Sequence, residues 1–113
     1  MAVKAVTYVT DNKGVVQLFW DNLVNNDTGA PADVSDRPDR TVSVQGTFNG
    51  ATMTLQGSMD GGTVYFTLHD NLGVAITLAA AGSVIVAENT KTIRPSITGG
   101  GGSTDLDVYL TAV

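Results

Sequence analysis

Reactive side chains are scarce in this chain of 113 residues, which has one histidine, His69, one glutamate, Glu88, and no cysteine. Without cysteine there is no disulfide framework, iron–sulfur cluster, thiol nucleophile or Cys-based zinc site. A single histidine also excludes the zinc sites that need two or more imidazoles. A Ser–His–Asp triad would have to use His69, yet no serine lies in a Gly-x-Ser-x-Gly elbow. The adjacent Asp70 begins a turn, and neighbouring strand residues point to opposite faces. His69 therefore reads as a half-exposed strand-end histidine. Paired carboxylates for glycoside hydrolysis would have to be aspartates, and these occupy turn or solvent-face positions. Asp11-Asn12-Lys13-Gly14 and Asp70-Asn71-Leu72-Gly73 share an Asp-Asn-x-Gly pattern that offers oxygen ligands to calcium. Neither has the alternating acidic spacing of an EF-hand loop. Each reads as a turn in which Asp or Asn bonds its own backbone and glycine supplies a positive φ. No Gly-x-x-x-x-Gly-Lys phosphate loop is present. The expectation is no catalytic residues, no cofactor and no resident metal: not an enzyme.

What remains is contact chemistry. Phe19, Trp20 and Leu23 form the one aromatic cluster, at the start of a long polar stretch. The favoured reading has them plug the open end of a core, the commoner fate of large aromatics. The alternative makes Trp20 an anchor for a partner, as aromatics are at interface hot spots. Arg37 and Arg40, in the same stretch, could make charge-assisted bonds to a neighbouring chain or pair locally with Asp33, Asp36 and Asp39. Trp20, Arg37 and Arg40 are thus the candidate partner contacts.

Charge and composition narrow the partner class. Eleven acids against six bases give a net charge of −5, with no Lys/Arg cluster to neutralise phosphates, so nucleic acid is not an expected partner. Charged residues are only 15% and hydrophobic ones 42%, a balance that folds rather than staying disordered. The first twenty residues carry Lys4, Asp11 and Lys13 and read as no signal peptide. The longest charge-free stretch, residues 71–87, is too short and too interrupted to span a bilayer. No membrane is expected.

The elements that must hold these residues are strands. Thr41, Ser43, Gln45 and Thr47 alternate with Val42, Val44, Gly46 and Phe48; Met53 and Leu55 alternate with Thr52, Thr54 and Gln56. The same period of two runs through Val64, Phe66 and Leu68, through Ile93 and Ile97, and through Leu106, Val108 and Leu110. Asn49-Gly50 predicts a two-residue type I′ hairpin. Asp60-Gly61-Gly62 and Asp70-Asn71-Leu72-Gly73 predict two more. Residues 78–81 are the sole helical candidate, and Pro95 predicts an edge strand or a bulge. The fold class is therefore all-β: an antiparallel β-sandwich, jelly-roll-like, of about eight or nine short strands. A single domain over 1–113 is expected, with residues 1–10 as a possible N-terminal arm and 21–40 as a long polar loop. Gly99-Gly100-Gly101-Gly102-Ser103 reads as a flexible native loop.

The run Gly46-Thr47-Phe48-Asn49-Gly50-Ala51-Thr52, a second strand, and then Gly57-Ser58-Met59-Asp60-Gly61 resembles small head proteins of tailed bacteriophages. Ile93-Arg94-Pro95-Ser96-Ile97-Thr98-Gly99-Gly100 and Thr104-Asp105-Leu106-Asp107-Val108 are similar to the rest of that family, so the resemblance covers most of the chain after Thr41. It implies a capsid decoration, or cement, protein that sits on the outer shell of the virion and clamps neighbouring major capsid subunits. Such a protein is made in the bacterial host cytoplasm and forms a homo-oligomer, a dimer first and a trimer second. Edge pairing through residues 3–9 is the expected route to the dimer. The runner-up is a carbohydrate-binding β-sandwich on a phage tail or host-recognition structure. Gly-Ser-x-Asp-Gly hairpins also occur in discoidin-like sugar-binding sandwiches, though those follow the turn with tryptophan where this chain has Val64-Tyr65-Phe66. A tail-tube or head–tail joining protein is third.

Overall fold

The computed structural model describes residues 2–10, 16–35 and 37–113, which form twelve strands and no helix. The Asp11-Asn12-Lys13-Gly14 turn and Asp36 lie outside the described residues. The strands are β1 (Val3–Lys4), β2 (Thr7–Thr10), β3 (Val16–Leu23), β4 (Thr28–Gly29), β5 (Ala32–Asp33) and β6 (Arg40–Thr47). They continue as β7 (Ala51–Ser58), β8 (Phe66–Thr67), β9 (Thr77–Leu78), β10 (Gly82–Val86), β11 (Thr92–Gly99) and β12 (Asp105–Ala112). One sheet has the order β10-β6-β12-β3-β2; the other runs β1-β4-β11-β7-β8, with β5 also on β11 and β9 also on β7. Every pairing is antiparallel except β1 with β4.

The expected jelly roll is visible in that order. β4 and β5 share one place beside β11, and β8 and β9 share one place beside β7. Counting each pair once, the chain goes β3, β4/β5, β6, β7, β8/β9, β10, β11, β12, alternating sheets at every step but β7 to β8. The central strands β12 and β11 pair back onto β6 and β7, which is the double Greek key of a jelly-roll sandwich.

Period-two alternation puts Leu106, Val108 and Leu110 of β12 opposite Met53 and Leu55 of β7, all buried in one core with Leu18, Trp20, Val42, Ile93 and Ile97. The threonines, serines and glutamines between them face outward.

Several local expectations change. Asn49 and Gly50 do have positive φ, 46° and 84°, and the turn closes with Ala51 N–H on Phe48 O at 2.9 Å. It is not a hairpin, however: β6 and β7 belong to different sheets, and the turn carries the chain across the sandwich. Residues 79–81 form a bend rather than a helix. Pro95 sits in central strand β11, opposite Leu55. Ile97 N–H bonds Asp27 O, so the odd positions of β11 face β4 and β5. The N–H that Pro95 lacks therefore falls where those two short strands are interrupted. Val64 and Phe66 are exposed rather than inward, and only Leu68 of that run is buried. The 21–40 segment contributes β4 and β5 to a sheet. The N-terminal arm is docked as well, with Thr28 N–H on Ala2 O, Ala30 N–H on Lys4 O, and buried Asp27 accepting from the Ala2 N–H at 3.0 Å.

Candidate interaction surfaces

Two of the three candidate contacts are interior groups. Trp20 points inward from β3 and has no exposed surface. Its Nε1–H donates to Ala30 O at 2.8 Å, which satisfies the indole in the core. Gly29 must be glycine to let the ring in, since a Cβ there would lie 2.7 Å from Trp20 Cδ1 and 2.5 Å from Pro95 Cδ. Trp20 as an exposed anchor is thereby corrected; the core reading stands.

Arg40 opens β6 and is only 2% exposed. Its hydrogen bonds among the described residues run to main-chain oxygens and the Thr90 hydroxyl rather than to Asp33 or Asp39. Nε donates to Arg37 O at 2.7 Å, Nη2 to Val34 O and Thr90 O at 2.7 Å each, and Nη1 to Glu88 O at 3.3 Å. Burial pushes the guanidinium pKa below its usual 12.5, opposed by the charge of Asp33, and it remains a cation at neutral pH. Arg40 ties residues 34–37 to residues 88–90 and is not a partner contact. Arg37 is half-buried in the turn it makes with Val34, its N–H on Val34 O at 3.0 Å.

What the fold does present outward is a hairpin that composition alone does not single out. Between β7 and β8, Met59 is 73% and Val64 48% exposed, and Phe66, which opens β8, is 64% exposed. The loop is held from within: Ser58 Oγ donates to Asp60 Oδ1 at 2.6 Å and accepts from Gly62 N–H at 2.9 Å. Asp60 Oδ1 also accepts from Thr63 and Val64 N–H. The Ser58 hydroxyl and these amides lower the Asp60 pKa to about 2. The Arg94 guanidinium lies 3.7 Å from the centroid of the Tyr65 ring, and Arg94 Nε donates to Gln56 Oε1. The aromatic nearest the Gly-Ser-x-Asp-Gly turn is thus covered by a cation on that face.

Phe66 pairs with Gly57, on the side of β7 that faces Leu68 and Thr90. It keeps the phase of the alternation but stands on β8, the edge strand of its sheet, and stays exposed. There it walls a cleft of about 350 Å³ with Met59 and Leu68, across from Glu88, Asn89 and Thr90. At the Glu88 side, His69 Nδ1 lies 2.7 Å from Glu88 Oε2. Burial pushes the Glu88 pKa up, but the His69 side-chain and main-chain bonds outweigh it and hold it below 4.5. This pair, invisible as a motif across nineteen positions, fastens the 69–75 hairpin to β10, with Ala87 N–H on His69 O.

A second surface is the outer face of the five-stranded sheet. One row across it reads Thr7, Phe19, Tyr109, Ser43, Ser83. The next reads Val9, Gln17, Thr111, Thr41, Ile85. Phe19 and Tyr109 pack ring to ring at 5.5 Å between centroids. Neither row contains a charge. The adjoining row of the same face carries acids, Asp21 of β3 and Asp107 of β12, the latter accepting from Asn22 N–H.

Among the described residues no three His, Asp or Glu side chains converge to hold a metal ion. The Asp70 turn is closed by its own backbone, Oδ1 accepting from Leu72 and Val74 N–H. Among the described residues no helix is long and apolar enough to cross a membrane.

No protein-family model matches the sequence, and no curated protein matches it. Among solved structures, the crystal structure of the SPBc2 prophage-derived protein YomS is similar, with a TM-score of 0.65 at 9% identity over 92% of this chain and 98% of that one. Two oxalate oxidase structures, one in complex with glycolate, match with TM-scores of 0.56 and 0.55 at 16% identity. They cover 96% of this chain, which spans half of theirs. At such identities the likeness is one of fold: the same β-sandwich carries different proteins.

Proposed function

We propose that this chain is a non-enzymatic structural protein of a phage virion that binds the outer surface of the capsid and clamps neighbouring major capsid subunits. The observation that carries the reading is the pair of exposed apolar side chains, Met59 and Phe66, that line the cleft. Contiguous apolar surface on a soluble fold marks a protein contact, and here it stands on a hairpin braced by Asp60 and Ser58. The prophage origin of a protein with the same fold supports the phage setting. The resemblance of residues 46–61 to phage head proteins supports the capsid as partner. A decoration protein needs shape, stiffness and contact area rather than a catalytic group, and many copies on one shell turn modest contacts into avidity.

The test is to add purified protein to phage shells that lack it, then examine them by co-sedimentation and electron microscopy. The wild type is expected to sediment with the shells and to add density on their outer surface. Met59→Ser with Phe66→Ser is expected to weaken binding at least tenfold while melting like the wild type, since both side chains are exposed. Shells that gain no density with the wild type overturn the proposal.

A further inference from the structure

The strand that carries Phe66 is an open edge. β8 pairs with β7 alone and ends the order of its sheet. Leu68 N–H donates to Leu55 O at 2.9 Å, and Phe66 lies opposite Gly57. In an antiparallel ladder alternate residues turn both N–H and C=O to the same neighbour. Phe66 and Leu68 therefore bond toward β7, and the N–H and C=O of Thr67 point to the open side. His69, next in that phase, gives its N–H to Glu88 Oε1, which closes one end of the edge. At the other end Asp60 Oδ1 takes the Val64 N–H. Between them the Thr67 amide has no acceptor among the described residues. We propose that this edge takes an added strand: an extended, acid-free segment of a capsid subunit pairs with Thr67 and sets an apolar side chain in the Met59–Phe66 cleft. The proposal rests on the cleft being the shell contact.

The phase of the ladder fixes where the segment's side chains go. The residue opposite Thr67 faces outward with it, and its two neighbours face the side of Phe66 and Leu68. Those two line the cleft of about 350 Å³ together with Met59, so a neighbour's side chain enters it. In strand addition main-chain bonds supply affinity, and pockets for alternate side chains supply specificity. Charge selects the segment. Glu88 stands on the far wall of the cleft and is kept ionised by its bonds from His69. Asp60 braces the turn before the edge and is ionised as well. An acid entering at either place meets a like charge. Charge also disfavours a second copy of this chain. Pairing β8 with β8 about a two-fold axis sets the Asp60 turn of one copy against Glu88 of the other.

Hydrogen exchange of the full chain, free and bound to shells, tests the pairing through a main-chain group that a side-chain contact leaves unmoved. The Thr67 amide is expected to exchange about tenfold more slowly when bound, the worth of one or two hydrogen bonds. The Gly50 amide, at the other end of β7, is expected to keep its rate. Proline is tolerated on an edge where the N–H faces outward, so Thr67→Pro removes the donor without touching the β7 ladder. It is expected to melt like the wild type and to bind shells about tenfold more weakly, whereas Thr67→Val, which keeps the N–H, binds normally. If Thr67→Pro melts early, the exchange of the wild type decides alone. Shell binding that Met59→Ser with Phe66→Ser weakens, but that leaves Thr67 exchange unchanged, overturns strand addition and leaves the cleft contact standing. A wild type that binds no shells overturns both. Thr67 protection in the free protein that grows with concentration, alongside a dimer in sedimentation, places a second copy on the edge and overturns the proposal.

Discussion

Trp20 and Arg40 illustrate what a residue's type does and does not reveal. The indole was legible: an aromatic beside Phe19 and Leu23 in an apolar run is more often core than anchor. Its fit is set by Gly29 and the Ala30 carbonyl. Trp20→Ala should lower stability by about 3–5 kcal/mol, as large buried truncations do. The fraction that remains folded should bind shells normally. A thermal melt paired with co-sedimentation checks both, and an unchanged melt with lost binding reverses the assignment. Arg40 was not legible, because its partners are main-chain oxygens at positions 34, 37, 88 and 90, and carbonyls leave no mark in a sequence. The aspartates around it suggested ion pairs, yet among the described residues neither Asp33 nor Asp39 bonds the guanidinium. Arg40→Met keeps the bulk but leaves buried acceptors without donors, so it should cost about 2–4 kcal/mol. Denaturant unfolding measures it; a loss below about 0.5 kcal/mol, ordinary for surface sites, would mean the carbonyl cage contributes nothing.

At the level of elements, local chemistry was readable and long-range assignment was not. The Asp60 and Asp70 turns form as their residues demand, and Asn49-Gly50 takes the two positive φ values its type requires. Whether a turn joins paired strands or crosses between sheets depends on distant partners, here β11 and β12. The same limit predicted an edge or a bulge at Pro95 and an inward Phe66, since neither a gap in a neighbouring strand nor a place at the sheet edge has a local signature. The Asp60 turn makes a pH prediction. Its carboxyl titrates at about 2 in the folded loop against 3.8 unperturbed. A depressed pKa means stabilisation that is complete above 3.8 and lost as pH falls through about 2. The Thr63 and Val64 amide NMR shifts should therefore move together with a midpoint near 2, and should not titrate there in Asp60→Asn. A midpoint at 3.8 would show that the amides do not hold the carboxylate in solution.

For the whole molecule, the surfaces matter more than the core. The alternating pattern was enough to establish a sandwich, yet the two faces it produces differ in ways composition averages away. One carries Arg94 over Tyr65, while the other is uncharged across two rows. The cleft, too, is lined mostly by apolar and uncharged groups, its one acid already paired with His69. A grip of this kind has a distinct dependence on salt. Screening shortens to about 4 Å by 0.5 M and removes long-range forces between exposed charges, whereas the apolar contribution persists. Binding to shells should therefore change less than threefold between 0.05 and 0.5 M sodium chloride. Any movement upward would reflect screening of the −5 charge against like-charged copies already on the surface. Had Arg37 and Arg40 been the contacts, charge-assisted bonds at a wet rim would weaken over the same range. A salt titration of the bound fraction separates the two. Loss of binding by tenfold or more at high salt would move the contact away from the Met59–Phe66 cleft and onto charged surface elsewhere on the molecule.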